Sequence, residues 1–236
     1  MKILGLESSV KSASVALMED GKLLARSFQN TGLTHSRTLL PMAEAMLQNC
    51  ELGIADVDAV AVAVGPGSFT GLRIGVATAK GLAWPEDKPC APCSTLESMA
   101  WPLAHLEGRV IVCAMDARRS QVYNALFLAA GEGLQRLTPD RAIGLDQLGE
   151  ELKKVEKEKI VVGDGARLCY NTLTEQGITL KMAPEHLRMQ SAWGVARAAL
   201  ELVRSGGLVS GEELAPVYCR LSQAERERLE REAKSK

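Results

Sequence analysis

Apolar and polar positions along the chain change period several times, and each change marks a predicted element. Short β-like runs at residues 2–6 (KILGL), 13–17 (ASVAL) and 23–27 are separated by Glu7 to Ser12 and by Gly21, which predicts a three-stranded antiparallel meander. From Thr34 to Cys50 the apolar positions 39, 40, 42, 43, 46, 47 and 50 follow a helical period, and Pro41 is expected to kink or delimit that helix. Val57 to Val64 is a run of small and β-branched residues of buried-strand length. Gly65-Pro66-Gly67 stops it, and a second helix is predicted from Thr70 to Ala83.

The opening pattern returns in the second half. Arg109 to Met115 reads as a strand, Asp116 to Ser120 as a turn and Gln121 to Ala129 as a strand; Lys159 to Gly163 adds another strand, and 166–175 and 191–205 read as helices. An acid closes the first strand of each hairpin, Glu7 in one and Asp116 in the other. The reading is two related α/β lobes, residues 1–105 and 106–236. Two unrelated hairpins would give the same pattern, but actin-like ATPases and sugar kinases open each lobe with such a hairpin, whose acid and glycine serve metal-bound phosphates.

Composition narrows the functional classes. An apolar content of 46% over 236 residues suffices for a real core. Lysine plus arginine is 28 against 29 acids, so the chain lacks the basic excess of a protein that grips a phosphate backbone alone, and any role on nucleic acid is expected to be indirect or shared. The N-terminus turns polar after Leu6, and the longest apolar stretch, Gly71 to Trp84, is broken by Arg73 and Lys80 and falls short of the about 20 residues a bilayer needs. A cytoplasmic protein without a membrane span is expected. Six scattered cysteines (50, 90, 93, 113, 169, 219) fit a reducing compartment. Cys90-Ala-Pro-Cys93 has redox-motif spacing, but it sits in an apolar approach to a helix, so a structural role is expected; a zinc site would need a second ligand pair.

The most specific stretch runs from Val64 to Gly75, a strand passing through glycines into a helix. Its backbone amides could face an anion, with Gly65, Gly67, Ser68, Thr70, Gly71 and Arg73 as the candidate loop. The glycines would equally allow close helix packing. No Gly-Lys-Ser/Thr closes the loop, and it does not fit the dinucleotide fingerprint. Neither hairpin acid is followed two residues later by glycine: Glu7 precedes Ser8 and Ser9, and Asp116 precedes Ala117 and Arg118. Turn formation is therefore preferred for both acids over phosphate binding. Arg118 and Arg119 are read as solvated, and Ser222 to Glu225 as a capping box opening a charged, solvated C-terminal helix.

The string GPGSFTGLRIGVATAKGLA, with HSRTLLP at 35–41, STLESMA at 94–100, DARRSQVY at 116–123 and PVYCR at 216–220, resembles the bacterial TsaB (YeaZ) family over nearly the whole chain. The resemblance implies an α/β, two-lobed actin-like ATPase (ASKHA, ribonuclease H-like) fold. It also implies a non-catalytic subunit that supports the paralogous transferase TsaD in placing a threonylcarbamoyl group on adenosine 37 of tRNA, alongside an ATPase partner, TsaE. The alternatives are a metal-dependent transferase or peptidase of the same superfamily, or a sugar kinase. Catalytic relatives bind metal through two histidines four apart on a helix, whereas here His35 is followed at that spacing by Leu39. Hence no catalytic residue, no metal ligand and no cofactor is assigned to the isolated chain, with ATP expected only in the assembled complex. The apolar stripe of the first helix is too wide for one buried face. Leu39, Leu40, Ala43, Met46 and Leu47, with Ile74, Thr78 and Leu82 of the second helix, are the candidate partner-binding residues, Ala43 and Leu47 being placed on the outer face. The partners expected there are the TsaD-like paralogue or a second copy of this chain, with tRNA reached indirectly.

Overall fold

The computed structural model describes residues 1–220; the C-terminal helix expected from Ser222 lies outside them. Strands β1 (Lys2–Glu7), β2 (Ala13–Glu19) and β3 (Lys22–Gln29) form the expected meander, followed by α1 (His35–Asn49), β4 (Ala59–Gly65), α2 (Phe69–Ala83), β5 (Cys90–Ser94) and α3 (Thr95–Ala100). The second half runs β6 (Val110–Asp116), β7 (Gln121–Ala129), β8 (Leu134–Arg136), β9 (Arg141–Gly144), α4 (Leu145–Lys153), β10 (Lys159–Val162), α5 (Ala166–Glu175), β11 (Lys181–Met182), α6 (Glu185–Arg188) and α7 (Ala192–Ser205). Pro41 neither ends nor divides α1.

Each half makes one sheet by the same plan. In the first, the order is β3-β2-β1-β4-β5, with β1 and β2 antiparallel and β4 and β5 parallel to β1. In the second, the order is β11-β10-β6-β7-β8, with β6 and β7 antiparallel, β10 parallel to β6 and β9 paired to β7. Strand β4 (AVAVAVG) is buried at every position, as a central strand covered on both faces must be.

The covering helices cross between the halves. On one face of the first sheet, Leu4, Leu6 and Val15 pack with Leu39, Met46 and Leu47 of α1 and Val76 of α2. On the other face, Ile3, Met18 and Ala61 pack with Val195, Ala196 and Ala199 of α7. Thus α7, assigned by the sequence reading to residues 106–236, covers the first sheet. Its alanines permit the approach, and a Cβ on Gly5 of β1 would lie 2.6 Å from the Ala192 carbonyl. Conversely, Leu96 and Met99 of α3 pack against Ile111, Cys113 and Phe127 of the second sheet. After α7 the chain returns to the first half: Val209 pairs with Cys90, and the Val217 amide donates to the Val64 carbonyl at 2.8 Å.

Candidate functional site

Both hairpin acids hold their own turns. The Glu7 carboxylate accepts from the Ser9 amide at 2.6 Å, and Asp116 accepts from the Arg118 amide at 2.7 Å. Their surroundings differ sharply. Asp116 is exposed, whereas Glu7 is fully buried and its second oxygen has no hydrogen-bond partner among the described residues. Burial pushes the Glu7 carboxyl up to about 7, against the opposing effect of the hydrogen bonds from Ser9.

The glycine-rich stretch is spent on packing against this first turn. Cβ atoms built on Gly67, Gly71 and Gly75 would all collide with Ser8 or Ser9, and one on Gly65 would strike the Val217 carbonyl. Gly65 also has φ of 143°, a conformation costly for any side chain. The Ser68 amide donates to the Ser9 carbonyl at 2.6 Å, Ser8 Oγ donates to the Gly71 carbonyl at 3.0 Å, and Ser68 Oγ caps α2 by accepting from the Gly71 amide at 3.3 Å. Of the candidate anion loop, Thr70 is exposed at the cleft. Arg73 is engaged elsewhere: its Nε donates to Tyr218 Oη at 3.2 Å, and its guanidinium lies 4.3 Å over the Phe69 ring, which stacks on Tyr218.

An open cleft of about 940 Å³ separates the two hairpins, with Ser9, Lys11, His35 and Thr70 on one side and Asp116 and Asp164 among the residues on the other. Its charges are mixed, and among the described residues no group of three or more histidine, cysteine, aspartate or glutamate side chains is placed to hold a metal ion. His35 opens α1 with Nε2 donating to the Val10 carbonyl at 2.6 Å, so it pins the helix to the first hairpin. Leu39, four residues on from His35, lies in the core. Cys90 and Cys93 occupy β5 and face opposite sides of the sheet, Cys90 toward α1 and α2 and Cys93 toward α7, so they cannot form a redox pair as they stand. Burial raises both thiols above their ordinary range.

The candidate partner face requires correction. Leu39, Ala43, Met46 and Leu47 all point into the core, being at most 6% exposed. Ala43 and Leu47 are therefore not on the outer face. The surface of α1 is instead made by Leu40, Pro41, Glu44, Ala45 and Gln48. Ile74, Thr78 and Leu82 are half-buried on α2, whose outer row is Thr70, Arg73, Ala77 and Gly81. Trp84, immediately after α2, is 85% exposed and was missed by the sequence reading.

The domain-family model described as TsaD: tRNA N6-adenosine threonylcarbamoyltransferase matches residues 29–227. A Bacillus subtilis protein described as tRNA threonylcarbamoyladenosine biosynthesis protein TsaB is 31% identical over 98% of this chain and 99% of its own length. The Escherichia coli protein of the same description is 30% identical over 93% of this chain and 95% of its own. YeaZ from Pseudomonas aeruginosa superposes with a TM-score of 0.75 at 24% identity, covering 92% of this chain and 99% of that structure. The mixed α/β architecture of two sheets is the fold that this chain shares with YeaZ. With near full-length similarity and the same fold, the chain belongs to the TsaB (YeaZ) family.

Proposed function

We propose that this protein serves in threonylcarbamoyladenosine formation on tRNA as a non-catalytic subunit that docks on a TsaD-like transferase through the outer faces of α1 and α2. One observation carries the reading: α1 and α2 pack on each other and expose Leu40, Ala45, Ala77 and Gly81, and Trp84, which follows α2, is 85% exposed. Small residues let a partner's helices approach closely, and an exposed tryptophan at the end of such a surface supplies the large apolar anchor typical of interface hot spots. Leu39 in the core, where the second histidine of catalytic relatives would stand, favours a supporting role over the metal-dependent transferase or peptidase. In this reading a second copy competes for the same face, a TsaE-like ATPase and ATP join only the assembled complex, and tRNA is met through the partner.

The test is co-purification with the TsaD-like paralogue and a tRNA modification assay. Ala77→Glu is expected to abolish both complex formation and modification while its thermal unfolding stays close to the parent's, since Ala77 is exposed. Full binding by folded Ala77→Glu combined with Trp84→Ala would remove this face as the interface.

A further inference from the structure

Strand β3 is an edge of the first sheet, with exposed and half-buried residues alternating along it. A register shift between Leu17 and Met18 of β2 leaves Leu24 as an extra residue, so the regular free edge is Ala25 to Gln29. Helix α1 covers β2 more fully than β3, which leaves a groove of about 560 Å³ between α1 and the edge, lined by Ala25, Gln29, Arg37, Met42 and Met46. Gln29 Oε1 in this groove is buried without a hydrogen-bond partner among the described residues. On the opposite face of the sheet a second hollow of about 180 Å³ is lined by Leu187, Met189 and Trp193 with His186. Arg26 lines both hollows. Phe28, 48% exposed, lies next along the edge on the Arg26 side of the strand.

The geometry points to the edge of β3 as a docking site for an extended segment of a partner protein that carries apolar side chains in alternation and an acidic residue set against Arg26. A strand added beside Ala25 to Gln29 directs successive side chains to opposite faces, one toward the methionine-lined groove and the next toward the tryptophan-lined hollow. Main-chain hydrogen bonds along the edge supply affinity, and the two hollows supply selection of alternate side chains. Charge fixes the class of occupant. Among the described residues the two hollows contain Arg26, Arg37 and His186 and no acidic residue, and neither arginine forms an ion pair. A second copy suits the edge poorly. Antiparallel pairing about Ser27 sets the two Arg26 side chains diagonally on one face with no acid between them. The α1 and α2 surface is a separate one, so this inference does not depend on the docking proposed above.

A displayed library of random octapeptides panned against the full chain tests it. The expected winners alternate apolar residues around an aspartate or glutamate, slow amide exchange at Ala25 to Gln29, and bind at least tenfold more weakly to Arg26→Glu. Replacing their acid with lysine is expected to restore binding to Arg26→Glu, which a merely structural effect of the substitution would not do. Arg26 is exposed and forms no ion pair among the described residues, so that variant should fold as the parent does. No selected peptide, winners indifferent to Arg26→Glu, protection confined to α2, or protection of β3 by self-association without peptide would each overturn the inference.

Discussion

At the residue scale the most informative side chain is Glu7. Its folded carboxyl titrates near about 7 because it is buried, while the unfolded one titrates near 4.5. Below pH ~4.5 both states are protonated and nothing is lost. Between ~4.5 and ~7 the unfolded carboxylate ionises while the folded one keeps its proton, so stability falls as pH rises through that window, by about 3 kcal/mol in all. Glu7→Gln is expected to abolish this slope in denaturant titrations from pH 5 to 7.5, with the variant more stable at neutral pH; equal slopes in both proteins would contradict the assignment. The thiols follow the same burial logic. Cys50 and Cys219 are half-exposed and should react with a thiol reagent in the native protein, whereas Cys90, Cys93, Cys113 and Cys169 are buried and should react only on unfolding. Rapid native labelling of Cys93 would show that β5 opens.

At the element scale α1 illustrates what a helical period does and does not say. The apolar stripe is wider than one face, as the sequence indicates, and the surplus does reach solvent. The surplus residues are Leu40, Pro41 and Ala45, not Ala43 and Leu47, because only the packed sheet decides which edge of a wide stripe turns inward. Leu47→Glu therefore places an unpaired charge in the core and is expected to cost several kcal/mol, abolishing the cooperative thermal transition. Retention of the parent's unfolding temperature would mean that Leu47 is not held in the core. In α2 the glycines serve contact with Ser8 and Ser9, so Gly71→Ala forces the helix off the first turn. A loss of at least about 2 kcal/mol is expected for such overpacking against backbone, read from chemical denaturation.

At the scale of the whole molecule the two halves are each incomplete. The face of the first sheet carrying Ile3, Met18 and Ala61 is covered by α7, and Leu96 and Met99 of α3 cover the second sheet. A fragment of residues 1–105 leaves that first face in water and is expected to show no cooperative unfolding by circular dichroism. A sharp transition in the fragment would show that the first half folds alone. The strap from Gly206 to Arg220 adds a further tie, since Arg220 donates to the Ala117 carbonyl at 2.9 Å while Tyr218 stacks on Phe69. The meander, the paired acids, the two main helices of the first half and the family follow from sequence alone, since strand and helix periods, turn residues and a long motif are local properties. The sequence reading assigned no element to β8, β9 or α4 and took β5 as an approach to a helix, although Leu145, Leu148 and Leu152 of α4 stand at helical spacing. The assignment of α7 to the first sheet, the opposite facing of Cys90 and Cys93, the collision of the glycine row with Ser8 and Ser9, the exposure of Trp84 and the open edge of β3 were decided only by tertiary structure. Each depends on which distant surface covers a side chain, and a local period records only that a residue is apolar or small.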